Sequence, residues 1–123
     1  MKFDEEIPIY IQIENFIRDK IFSGIWKEND RIPSVRELAG LLEVNPNTVM
    51  RTYEKLQSAK IIYMQRGLGC YVEKGSIEII NNDKKNKFFV ELNTFFKSMQ
   101  ELGISIETIN TEYQLFVIKN KLI

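Results

Sequence analysis

Between Pro8 and Ser23 the large apolar residues Ile9, Ile13, Phe16, Ile17 and Ile21 recur at three- and four-residue intervals, the spacing that lines one side of a helix. Pro8 suits a first helical position and Gly24 a C-terminal cap, so a first helix is predicted over 8–23. Ile25 to Pro33 mixes Trp26 and Ile32 with Lys27, Glu28, Asn29, Asp30 and Arg31, and reads as an ordered loop pinned by its two apolar residues. Ser34-Val35-Arg36-Glu37 is a capping box and opens a short second helix, 35–42, with Val35, Leu38, Ala39 and Leu42 inward. Glu43-Val44-Asn45-Pro46 leaves room only for a tight turn. Asn45 caps a third helix with Pro46 at its first position; it runs to about Ala59, buries Val49, Tyr53 and Leu56, and presents Asn47, Thr48, Arg51 and Lys55.

The period then changes. Ile61 to Met64 and Cys70 to Val72 are β-branched and aromatic runs separated by Gln65-Arg66-Gly67-Leu68-Gly69, which predicts a β-hairpin with glycine at its tip. The polar run Asn81 to Lys85 makes 76–86 read as a linker, although Ile77, Ile79 and Ile80 before it can pair or pack. Beyond it, Phe88, Leu92, Phe95, Met99 and Leu102, widened by Phe89 and Phe96, form a broad apolar stripe on one helix that Gly103 ends. Ser105 caps a last helix with Ile106, Ile109, Tyr113 and Phe116 on one side, completing an α-hairpin. Two helices alone bury only the seam between them, so something else must cover their outer apolar flanks.

Composition narrows the chemistry. The 123 residues hold 17 Lys+Arg, 17 Asp+Glu, no His and one Cys, so the commonest general base and metal ligand is absent and no internal disulfide exists. The acidic residues form no paired constellation, and Arg66-Gly67-Leu68-Gly69 lacks the strand-to-helix context of a phosphate-binding loop; no enzyme, metal or cofactor is expected. No stretch approaches a membrane span and the N-terminus is acidic, which favours a cytoplasmic protein without a membrane partner. The net charge of zero is uneven. Residues 1–30 carry four basic and seven acidic side chains, 31–74 seven and four, and 75–123 six and six, so the positive excess coincides with the second helix, third helix and hairpin.

Helix, capped short helix, four-residue turn, capped helix and glycine-tipped hairpin describe a winged helix-turn-helix. The fold class is mainly α with a small β-hairpin: a DNA-binding domain over 7–75 (helix-turn-helix about 34–59, wing about 61–74), the linker 76–86, and a two-helix region 87–123. Asn47 and Thr48, leading the third helix, can donate to and accept from base edges and phosphates; Arg51 lies one turn on, and Arg66 stands at the wing tip.

Over about residues 7–75 the chain resembles the GntR family of bacterial transcription regulators. The resemblance rests on Ile7-Pro8-Ile9-Tyr10-Ile11-Gln12-Ile13, Ile32-Pro33-Ser34-Val35-Arg36-Glu37-Leu38-Ala39, Val44-Asn45-Pro46-Asn47-Thr48-Val49 and Arg66-Gly67-Leu68-Gly69. It implies that Arg36 contacts phosphate or bases, that Asn47 and Thr48 lead the recognition helix, and that Arg66 and Gly67 make the wing contact. Pro46 and Leu68 stand where many members carry basic residues, which reduces the implied phosphate contacts. The short tail with Leu102-Gly103-Ile104-Ser105 is similar to the YtrA subfamily, in which the tail dimerises and the regulated genes often encode transporters.

The expected DNA-contacting set is Ser34, Arg36, Asn45, Asn47, Thr48, Arg51, Lys55, Arg66 and Gly67. The expected homodimer contact is Phe88, Phe89, Leu92, Phe95, Phe96, Met99, Leu102, Ile109, Tyr113 and Phe116. Together these describe a homodimeric repressor on a palindromic duplex operator, with little room for a separate effector sensor. Taken singly, Arg36, Arg51 and Lys55 read equally as solvated charges beside Glu37, Glu43 or Glu54. Tyr10 and Tyr53 read as packing residues and Cys70 as structural, and the tail phenylalanines fit a dimer core better than a ligand pocket. The competing function is a winged-helix protein-interaction module.

Overall fold

A computed structural model describes residues 2–121. Five helices, α1 (Ile9–Phe22), α2 (Val35–Leu42), α3 (Pro46–Ser58), α4 (Ser76–Leu102) and α5 (Ile106–Lys121), accompany three strands, β1 (Arg31–Ile32), β2 (Ile62–Gln65) and β3 (Gly69–Val72). The chain divides into a unit ending at Lys84 and one beginning at Lys85. No described helix is long and apolar enough to cross a membrane.

In the first unit the helical stripes meet as their spacing predicts. Ile13, Ile17 and Ile21 of α1, Leu38 and Leu42 of α2, and Val49, Tyr53 and Leu56 of α3 are buried together with Ile32, Ile62 and Val72 from the sheet. Each large aliphatic side chain buried in this way contributes about 1.5–3 kcal/mol, which is what holds three short helices together. Pro8 is the N-cap of α1 rather than its first residue, with φ −52° and ψ 138°: its fixed φ suits either place, and its extended ψ keeps it outside the helix.

The wing is a three-stranded antiparallel sheet in the order β1-β3-β2. β1 lies inside the segment expected to be loop. Two residues carry no readable periodicity, and they become a strand only because Arg31 pairs with Tyr71 and Ile32 with Cys70.

The expected linker 76–86 is corrected as well: it is the first part of α4. No Gly or Pro interrupts 76–102, Ile80 is buried, and the polar run is an ion-paired helix face rather than a solvated connection. Arg18 of α1 lies 2.9 Å from Asp83, and Lys84 lies 3.2 Å from Asp19.

The second unit contains the rest of α4 and α5. The two helices meet at Gly103 as expected, and the Ser105 hydroxyl caps α5 by accepting from the Thr108 amide at 3.2 Å. Leu92, Met99, Ile109 and Val117 are half-buried, whereas α5 has no buried residue. The last two residues of the expected region 87–123 lie outside the described residues.

Candidate nucleic-acid interface

The start of α3 is fixed by its own side chains. Asn45, extended at φ −63° and ψ 129°, accepts the Asn47 amide on its Oδ1 at 2.8 Å, and Pro46 follows at the first helical position. Before it, Glu43 closes the turn from α2 in the left-handed region at φ 55°. Val49, Thr52, Tyr53 and Leu56 turn inward, which leaves Asn47, Met50, Arg51 and Glu54 exposed on the other side. The Tyr53 hydroxyl donates to the Pro33 carbonyl and so ties α3 to the loop that caps α2. Burial pushes this phenol well above its ordinary titration range, and it stays a neutral donor.

Helix α2 begins with the expected capping box: the Ser34 hydroxyl accepts from the Glu37 amide at 3.1 Å, and a Glu37 carboxylate oxygen accepts from the Ser34 amide at 3.3 Å. Arg36 is exposed in that first turn. Bonds from the Ser34 backbone and then its side chain hold the Glu37 carboxyl below its ordinary value. A carboxyl depressed by folding adds stability above its unfolded pKa and loses it as pH falls through the folded one. The melting temperature is therefore expected to fall as pH drops through the carboxylate range, about pH 5 to 3, and Glu37→Gln should flatten part of that fall. An identical profile for the variant would show that the box does not form in solution.

The wing turn is closed by the Leu68 amide donating to the Gln65 carbonyl at 2.9 Å. Its third residue, Gly67, has φ 79°, the left-handed value a type II turn requires there. Arg66 therefore projects from a short, defined turn and is exposed. The Tyr71 hydroxyl donates to the Leu68 carbonyl at 3.2 Å and braces the turn from β3.

The structure sorts the expected DNA contacts by what they already touch. Arg36, Asn47 and Arg66 are exposed and enter no ion pair among the described residues, while Ser34 and Asn45 already use their oxygens as helix caps. Thr48 is half-buried, and its carbonyl accepts the Thr52 hydroxyl at 2.9 Å. The Arg51 guanidinium lies 6.0 Å from the centre of the Tyr10 ring. Lys55 is exposed, but its ammonium is already paired. Its Nζ is 3.2 Å from Oε2 of Glu14, a carboxylate only 7% exposed, and 5.9 Å from the Tyr10 ring. That pairing with Glu14 of α1 is invisible in the sequence, where the nearest acidic neighbour of Lys55 is Glu54.

Met50, 48% exposed and three residues after Asn47, belongs to the same outward side of α3 and escapes a sequence reading because it looks like a core residue. Its spacing from Asn47 is the available signal. Cys70 is buried, and burial raises its thiol pKa; the nearby positive charge comes from Arg31 rather than Arg66. An inert, structural thiol fits this environment.

In the second unit Phe88, Phe89, Phe95, Phe96, Leu102, Tyr113 and Phe116 are all exposed, whereas Leu92, Met99 and Ile109 are half-buried. An apolar surface of this extent is uncommon on a protein that stays monomeric.

Residues 9–72 match the gntR family of bacterial regulatory proteins. The chain is 35% identical over 106 residues to the HTH-type transcriptional regulator YhcF of Bacillus subtilis, covering 86% of this chain and 87% of YhcF. It is 32% identical over 103 residues to the HTH-type transcriptional repressor YtrA of the same organism, covering 84% and 79%. The structure is similar to that of a GntR-family transcriptional regulator from Bacteroides thetaiotaomicron, with a TM-score of 0.81, 43% identity, and coverage of 92% of this chain and 99% of that one.

Proposed function

This chain belongs to the gntR family of bacterial regulatory proteins, and from that premise we propose that it is a homodimeric repressor that occludes a promoter by holding two half-sites of a palindromic operator. It is a transcription regulator with a helix-turn-helix DNA-binding domain. Its relatives are regulators, and occlusion requires no bond to be made or broken. The protein acts in the cytoplasm, where its duplex lies, and transporter genes are the class of target suggested by its likeness to the YtrA subfamily.

One observation supports this reading over a protein-interaction module. The capped start of α3 leaves Asn47 and Arg51 on an exposed side, opposite a fully packed one, and a braced turn in the same unit presents Arg66. In the proposed complex Asn47, Thr48 and Met50 meet base edges in the major groove. Arg36, Arg51, Arg66, the Gly67 amide and the remaining capacity of Ser34 and Asn45 meet the backbone. Lys55 serves mainly to hold α3 against α1.

The test compares two substitutions on operator and random duplexes. Asn47→Ala should cost about 1–3 kcal/mol of discrimination at particular operator positions, while Arg66→Ala should weaken binding to all duplexes nearly equally. Equal losses from Asn47→Ala on operator and random DNA would remove it from base reading. Affinity of the unaltered protein that stays constant as salt rises would contradict the phosphate contacts altogether.

A further inference from the structure

β1 sets Arg31 beside Tyr71, which faces Tyr63 across the next ladder, so these three side chains share the sheet face opposite buried Ile32, Cys70 and Val72. The tyrosine rings stack at 5.4 Å with their planes 18° apart. From this row the Arg31 side chain runs toward the wing turn. A Cβ placed on Gly69 would lie 3.0 Å from Arg31 Nε, 3.5 Å from Nη2 and 3.6 Å from Cζ. The guanidinium thus rests over the Gly69 backbone in space that a side chain would take, and Gly69 itself has φ 117°, a conformation other residues rarely adopt.

Arg31 is exposed, yet it enters no ion pair among the described residues. A planar guanidinium lying over Gly69 beside the wing turn suits bidentate capture of a phosphate oxygen pair.

Building on the DNA-binding reading above, we propose that Arg31 grips a backbone phosphate beside the wing, and that Gly69 is required as glycine partly to give the Arg31 side chain its path. Arg31 lies in a segment that reads as loop in the sequence, one residue before the motif that begins at Ile32.

The experiment measures affinity for a labelled mixed-sequence duplex of about 30 base pairs, long enough for two half-sites and flanks, as a function of salt. Each phosphate contact contributes a slope of about 0.9 in log affinity against log salt, on the order of eightfold at ~0.1 M. Arg31→Ala should lose that factor and that slope for every bound copy of the chain, with an unchanged melting temperature, whereas Arg31→Lys should retain the slope. A salt slope for Arg31→Ala equal to that of the unaltered protein, whatever its affinity, overturns the proposal and leaves DNA binding standing. An unaltered protein without a salt slope overturns the DNA-binding reading and the role of Arg31 with it.

Discussion

Replacing Phe95 with Asp is expected to separate the protein into monomers and to reduce operator affinity by a factor on the order of a thousand. Phe95 and Phe96 are 44% and 45% exposed, and Phe88 and Phe116 more so, in the second unit of the chain. Covering one such ring stabilises an interface by about 1.5–3 kcal/mol. A carboxylate in its place loses that gain and adds several kcal/mol of desolvation without a counter-charge. The sum reaches about 4 kcal/mol or more, which is about three decades in a dissociation constant. Because the site is already exposed in a single chain, the substitution should leave the helical circular dichroism of the monomer intact. Sedimentation equilibrium across a dilution series decides the matter. A Phe95→Asp protein that stays dimeric at the lowest concentrations measured would move the interface to another surface.

The second large effect concerns the element that holds the reading helix in place. Tyr53 is 1% exposed, fills the space between α3 and the rest of the first unit, and donates its hydroxyl to Pro33. Tyr53→Ala should cost about 3–5 kcal/mol, because the surrounding helices cannot close over the lost ring. A small domain has about 5–15 kcal/mol in total, so this one change removes much of its margin. Tyr53→Phe keeps the ring and orphans the Pro33 carbonyl, for a loss of about 1–3 kcal/mol. Urea denaturation followed by circular dichroism separates the two; equal stabilities for Phe and Ala would mean that the ring contributes nothing to packing.

The first three helices and the hairpin are legible in the sequence because their signals are local: 3.6-residue stripes, a capping box, an Asn-Pro start and a glycine turn all lie within a few residues of the structure they specify. What the sequence hides depends on distant partners. β1 exists through pairing with β3, and the polar run 81–85 is helical with Asp83 and Lys84 meeting Arg18 and Asp19, 65 residues earlier. Lys55 reads as a free cation until Glu14, 41 residues away, is placed beside it. In the tail the apolar stripes are visible, but periodicity cannot tell a face buried by its own chain from one awaiting another. Phe88, Phe89, Phe95, Phe96 and Phe116 are exposed in a single chain, so its own packing does not bury them.

The central claim is that paired recognition helices and wings read one symmetric duplex sequence. Selection by the purified protein from a pool of randomised duplexes tests it directly, because the pool favours no target in advance. The selected population is predicted to converge on a palindrome whose half-sites are centred about 10–10.5 base pairs apart or a multiple of that, with the enriched positions weakened by Asn47→Ala. A pool that binds yet shows no enriched motif, or enriches a single unsymmetrical site, would contradict it.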